Sequence, residues 1–212
     1  MVRSEQERGR PRPRDYQTNS RPRNSRSRHS GETLFAPVSA VLIRKPRGDD
    51  AAAFLAAVRR SRSLHRGWVA PPATLKAYRV YLKRIHSGQD HCGFLIIRSA
   101  TKALVGVINI NNIVLGPFRS AFLGYYAFSD YRGQGLMREG MRHVLRYAFK
   151  KLKLHRVEAN IQPQNHRSLA LVESCGFVRE GYSRRYLKID GRWRDHERWA
   201  LLAEDFRRRK SD

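Results

Sequence analysis

The chain has 212 residues, room for one domain of ordinary size plus a tail but too few for two full domains. Hydrophobic residues make up 41% and aromatic residues 10%, enough apolar surface for a core, which excludes a wholly disordered protein. Forty-three Lys and Arg against 18 Asp and Glu leave a formal net charge of +25, so the surroundings to expect are polyanionic: nucleic acid, ribosome or membrane headgroups.

Residues 1–33 hold nine arginines, no lysine, four acidic residues and three prolines, with little apolar beyond Met1, Val2 and Tyr16. Such a segment cannot offset its ordering entropy and is predicted to be a disordered basic tail. RNA contact, help with solubility and a misassigned start codon upstream of Val38 are each compatible with it. One domain is expected over residues 34–206, followed by a short basic end at 207–212.

Within that domain Val38–Arg44 reads as a strand, and Asp49 or Asp50 is placed to cap a helix over Ala51–Arg60. Ser61–Ala70 reads as a loop carrying Trp68, and Pro71-Pro72 opens a second helix from Ala73 to about Ile85. Gly93–Arg98 and Ala103–Ile110 are apolar, β-branched runs joined by a short polar link, a hairpin, with Ala121–Phe128 as a third strand. Leu136, Met137, Met141, Val144, Leu145, Ala148, Phe149 and Leu152 step by three and four, the pattern of a helix with one buried face. Arg156–Ile161 is a further strand, Arg167–Ser174 a short helix ended by Gly176, and Tyr182–Ile189 and Trp193–Leu202 flank the hairpin signal Asp190-Gly191. The order β-α-α-β-β-β-α-β-α-β-β predicts a mixed α/β (α+β) domain with a largely antiparallel sheet.

Two cysteines, Cys92 and Cys175, are too few for a disulfide framework and lack metal-ligand spacing, so a reduced cytoplasmic setting and no bound metal are expected. No apolar run approaches the roughly 18 residues that a membrane span requires, and the first residues lack the apolar stretch of a secretory signal.

The segment richest in chemistry is Tyr131-Arg132-Gly133-Gln134-Gly135-Leu136-Met137, between a strand and the long amphipathic helix. Its glycines let the backbone approach a ligand, and the first free N–H groups of the helix make an anion site; a tight structural turn is the alternative. It is neither a Walker loop nor a full dinucleotide fingerprint, which disfavours ATP and NAD.

Arg132-x-x-Gly135-x-Met137 after Leu123-Gly124-Tyr125-Tyr126-Ala127-Phe128 resembles the pyrophosphate loop of the GCN5-related N-acetyltransferase (GNAT) superfamily, which binds acetyl-CoA. The runs Leu154–Ala159, Pro163–Ser168 and Cys175-Gly176-Phe177-x-x-Glu180-Gly181 narrow the resemblance to the RimJ/RimL branch, ribosomal-protein N-terminal acetyltransferases and relatives, over about Val38 to Leu202. Two positions depart from that pattern: Met137 stands where Gly or Ala is frequent, and Phe122 where many relatives carry a Glu, so no catalytic carboxylate is expected at 122.

The resemblance implies a GNAT fold whose central strand splays from its neighbour. The pantetheine arm would lie along Tyr125, Tyr126, Ala127 and Phe128, and the diphosphate would rest on Arg132, Gly133, Gln134, Gly135, Leu136 and Met137. Asn165 is then a cofactor contact, and Ser168 hydrogen-bonds the thiolate and delivers its proton; helix capping is the plain alternative for both. Glu158 is the expected base, with a salt bridge to one of the many arginines as its alternative, because relatives with a glutamate on this strand place it where Asn160 stands. His155 and His143 sit where a strand boundary and a helix surface place them without any chemistry, and Trp68, Tyr186 and Trp193 fall in the segments that frame the acceptor cleft in relatives. The implied acceptor is a primary amine: a protein N-terminus, ribosomal above all, or a small molecule. An RNA- or ribosome-binding protein without turnover is the competing class, and the oligomeric state stays open.

Overall fold

In a computed structural model, residues 39–88 and 90–208 are described. The basic tail expected over residues 1–33, and positions 209–212 of the basic end, lie outside them. In chain order the elements are β1 (Val41–Arg44), α1 (Ala51–Arg60), α2 (Arg62–His65), α3 (Leu75–His86), β2 (His91–Arg98), β3 (Leu104–Val114) and β4 (Ser120–Ala127). They continue with α4 (Leu136–Lys150), β5 (Arg156–Ile161), α5 (His166–Cys175), β6 (Val178–Ile189), β7 (Arg192–Leu202) and α6 (Ala203–Arg208). One seven-stranded sheet in the order β1-β2-β3-β4-β5-β7-β6 carries them, with every pairing antiparallel except β4 on β5. This is the mixed, mostly antiparallel architecture expected from the sequence.

Helix α4 crosses one face of the sheet, and its period-3.6 stripe (Leu136, Met141, Val144, Leu145, Ala148, Phe149) is buried against Phe94, Ile96, Ile108, Ile110, Val157 and Ala159. The approach is close enough to require glycine at 140: a Cβ there would lie 2.7 Å from Ile96 Cγ2. On the opposite face Phe54, Ala57 and Val58 of α1 and Tyr78, Tyr81 and Ile85 of α3 close a second core over Leu95, Val107, Tyr126 and Phe128.

Several boundaries differ from the expectation for physical reasons. Thr74 Oγ1 accepts from the Ala77 amide, so α3 starts one residue past this N-cap rather than at Ala73. The stretch Ser61–Ala70 is not all loop but contains the one-turn helix α2. β3 runs on to Val114 through a register shift after Asn111, where Asn112 takes a left-handed φ of 51°. β6 begins at Val178 because Val178 pairs with Ala200 on β7, a long-range contact with no local signature. The Asp190-Gly191 turn has both φ values positive, 47° and 77°, as a two-residue hairpin of the primed kind requires. No helix among the described residues is long and apolar enough to cross a membrane.

Candidate active site

The site follows from one break in the sheet. β4 and β5 pair in parallel only over Ser120↔Arg156, Ala121↔Val157 and Phe122↔Glu158, and then separate. β5 continues on β7 through Ala159↔Trp199 to Ile161↔Glu197, while β4 stays on β3 through Leu123 to Ala127. The β5-facing edge of β4 is therefore without a strand partner from Leu123 to Ala127, and unpaired backbone groups of this kind can accept an added extended chain. A cavity of about 1190 Å³ opens at this split. The pleat of β4 divides it: Leu123 and Tyr125 face α4 and α5, and Tyr126 faces the second core.

On the α4 side the loop forms an anion cradle. Gly133 (φ 79°) and Gly135 (φ 73°) are left-handed, a Cβ at either would meet nothing within 4 Å, and Gly135 is the N-cap of α4 with no side chain capping it. The first internal bond at this end is Arg138 N–H to the Gly135 carbonyl. The amides of Gly133, Gln134, Gly135, Leu136 and Met137 have no backbone acceptor among the described residues. Five free donors at the positive end of a 15-residue helix, with Arg132, Arg138 and Arg167 lining the same cavity, suit a phosphorylated ligand.

Where α5 meets β4, the Tyr125 and Ser168 hydroxyls lie 2.6 Å apart. Desolvation holds the Tyr125 phenol well above its ordinary range, which already leaves it protonated at neutral pH. Asn165 is the N-cap of α5 and its Oδ1 accepts from the Ser168 amide at 3.3 Å, while both residues line the cavity. The capping alternative for Asn165 is thus realised without removing it from the site.

The other side of the split is walled by β5, the β6–β7 hairpin and the loop after α2. Gln162 Nε2 donates to the Gly67 carbonyl at 2.8 Å, and the Gly67 amide donates to Asp190 Oδ2 at 3.2 Å, which ties that loop, with Trp68, over the cavity. Asn160 Nδ2 donates to Tyr186 Oη at 3.1 Å. His196 lies 5.5 Å from the Tyr186 ring, and its Nδ1 is 3.0 Å from the Arg194 carbonyl. His65 Nε2 donates to the Ala127 carbonyl at 2.8 Å, and its Nδ1 is buried without a partner among the described residues. Among the described residues no Asp or Glu lines the cavity, and no cluster of three His, Cys, Asp or Glu is placed to hold a metal ion.

Of the residues expected from sequence, Tyr125, Tyr126, Ala127, Arg132, Gly133, Gly135, Leu136, Met137, Asn165 and Ser168 share this one cavity. Three do not line it. Glu158 sits in the last zipped pair, opposite Phe122, and its carboxylate accepts from Arg156 Nε at 2.9 Å, while Arg156 also grips Glu180; the ion-pair alternative is what the fold builds. Phe128, one residue past the end of β4, is fully buried in the second core, 5.9 Å from Phe54. Gln134 is not part of the lining, and what it offers the cradle is its unpartnered amide. His155 is exposed and His143 binds Ser39 Oγ at 2.9 Å on the outer side of α4, neither in the cavity; Trp193 is 61% exposed and also outside it. Sequence reasoning missed His65, Gln162 and His196, single polar residues whose only signal is a tertiary neighbourhood.

Residues 40–178 match the family model described as an acetyltransferase (GNAT) domain. The chain is 42% identical over 105 residues to the ribosomal protein uS5-alanine N-acetyltransferase of Escherichia coli, a match covering 50% of this chain and 54% of that enzyme, or about half its length. It is 28% identical over 127 residues to the spermidine N(1)-acetyltransferase of Vibrio cholerae, covering 60% of this chain and 72% of that one. Among solved structures, Mycobacterium smegmatis RimJ in complex with CoA-disulfide superposes with a TM-score of 0.73 at 29% identity, over 77% of this chain and 82% of that one.

Proposed function

The chain belongs to the GNAT family of acetyl-CoA-dependent N-acetyltransferases, and from that premise we propose that its acceptor is the α-amine of a protein N-terminus, that of a ribosomal protein first. The single observation that carries the choice is the make-up of the cavity: its lining holds arginines, histidines and tyrosines, with no carboxylate among the described residues. A polyamine brings several ammonium groups, each of which needs an anionic partner when it leaves water, and a chain of net charge +25 repels it from a distance. A protein N-terminus brings one amine followed by neutral peptide groups, which Asn111, Asn112, Asn160, Gln162 and the Tyr186 hydroxyl can meet. The basic surface also suits an acceptor displayed among rRNA phosphates.

The residues present fit acetyl-CoA. The five free amides from Gly133 to Met137, with Arg132 and Arg138, hold phosphate oxygens, and the open edge of β4 from Leu123 to Ala127 offers N–H and C=O groups to an amide-bearing arm. Acetyl-CoA, when bound, supplies a thioester whose carbonyl carbon the amine attacks and whose sulfur leaves. The edge amides of β4 polarise the carbonyl oxygen. Ser168 Oγ, hydrogen-bonded to the Tyr125 hydroxyl, delivers its own proton to the departing thiolate. The Tyr125 phenol, protonated at neutral pH like any phenol and pushed further from ionising by desolvation, keeps its hydrogen bond to Ser168 Oγ.

Incubation with acetyl-CoA and two acceptors tests the proposal. A peptide with a free N-terminal alanine should gain a single acetyl group by intact mass, and the same peptide with a blocked N-terminus should gain none. Spermidine acetylated faster than the free peptide would overturn it.

A further inference from the structure

Three histidines line the cavity, and one of them is buried with its ring held by the fold and one nitrogen left free. His65 donates from Nε2 to the Ala127 carbonyl, and its other nitrogen, Nδ1, is sealed from solvent and ligand alike. His166 is the first residue of α5 and is exposed to solvent, with no hydrogen bond fixing its ring among the described residues. His196 is 2% exposed, lies on β7 opposite Ser183 of β6, and shares the β5 side of the split with Asn160 and Gln162. Its Nδ1 faces the Arg194 carbonyl at 3.0 Å; a carbonyl only accepts, so Nδ1 carries the hydrogen and Nε2 is left as a lone pair. Nε2 has no hydrogen-bond partner among the described residues, and the ring lines the cavity.

Resting on the acyltransferase reading above, we infer that His196 is the general base of this enzyme, its Nε2 removing the proton from the acceptor's ammonium group. Desolvation keeps the ring neutral at pH 7 by lowering its pKa, opposed by the Arg194 carbonyl and the Asp195 carboxylate. Asp195 cannot take the base role itself: it accepts from the Tyr182 hydroxyl at 2.7 Å and from the Arg185 amide at 2.7 Å. The other groups near the ring are Tyr186 from β6, Arg194 and Arg198 two residues to either side on β7, and the neutral Asn160 of β5 and Gln162 just after it. None of these is a competing base.

The protons balance. One leaves the ammonium for Nε2 and passes to solvent, and the freed nitrogen forms the carbon–nitrogen bond as the carbon–sulfur bond breaks. A second proton leaves that nitrogen as the amide forms, and it replaces the one Ser168 gives to sulfur. The products are the acetylated amine, the free thiol and one proton.

Two acceptors separate this role from a packing role: a peptide with an ordinary α-amine, and the same peptide carrying a terminal aminooxy group, already neutral at pH 7. At pH 7, His196→Gln and His196→Asn should lose about 100-fold in kcat on the first, and less than about threefold on the second. The acetyl-CoA thermal shift should match the wild type. Loss of rate should shrink above about pH 8, where an α-amine deprotonates unaided. Equal loss on both acceptors, or unchanged kcat on the ordinary peptide, overturns the inference. Wild-type enzyme that acetylates neither peptide overturns the N-terminal acceptor reading instead. Should neither variant fold, the ring nitrogens of His196 in the wild type, read by NMR at pH 7, should show hydrogen on Nδ1 alone; a doubly protonated ring overturns the inference.

Discussion

Replacing Gly135 by Asp puts a carboxylate at the mouth of the anion cradle, and the structure separates its effect on folding from its effect on binding. A Cβ at 135 meets nothing within 4 Å, so no packing is lost; the cost is the left-handed φ of 73°, about 1 to 2 kcal/mol for a residue with a side chain and at the low end for Asp. For a chain of this size that lowers Tm by about 2 to 8 °C. On binding, a unit negative charge about 4 Å from a phosphate oxygen, at an effective dielectric constant near 20, opposes the ligand by about 4 kcal/mol, or roughly a thousandfold in Kd. Gly135→Ala carries backbone strain of the same order, somewhat larger than that of Asp, without the charge. Titration calorimetry with acetyl-CoA on both variants, beside a thermal melt without ligand, should give similar Tm values and a gap of two to three decades in Kd. Equal affinity in the two variants would refute the placement of the diphosphate at the start of α4.

Ser168→Ala should lower kcat by about 10- to 100-fold while changing the affinity for acetyl-CoA by less than about threefold in calorimetry. Wild-type turnover would leave Ser168 only its place in the first turn of α5. Gly140→Ala should destabilise by about 1 to 3 kcal/mol in a denaturant titration, since its Cβ must displace the Ile96 side chain from 2.7 Å, with little effect on kcat per folded molecule. Glu158→Gln should keep kcat within about twofold and cost no more than about 1 kcal/mol of stability, because Arg156 retains Glu180. A hundredfold loss of kcat there would restore Glu158 as a catalytic base.

What could be read from the sequence was what local physics writes into it. The 3.6-residue stripe from Leu136 to Phe149 specifies α4, the alternation across Arg156–Ile161 specifies β5, and Asp190-Gly191 specifies its turn. The glycine loop was legible because left-handed backbone at 133 and 135 favours glycine and an uncapped helix start exposes its amides. Pleat and distance from the split were not legible. Phe128 looks like one more residue of the Tyr125–Ala127 run, yet it lies past the end of β4 and packs beside Phe54 in the second core. Glu158 and Asn160 share a face of β5, but only the point at which β4 and β5 part decides that one is zipped beside Phe122 and the other opens on the cavity. β6 carries no burial alternation at Val178–Glu180, and α2 is a single turn, so neither leaves a periodic trace. His196 is one polar residue in a strand, and its standing comes from Tyr186 and the Arg194 carbonyl, which folding brings to it.

The account stands on a ligand seated in the split between β4 and β5 with its diphosphate on the first turn of α4. Amide hydrogen exchange with and without CoA, resolved to single residues, measures this directly. The amides of Gly133 to Met137 and those on the open edge of β4 between Leu123 and Ala127 should slow together on binding, with β2 and β6 unchanged. Saturating CoA that leaves both segments exchanging at the free rate, while protecting another surface, would contradict it.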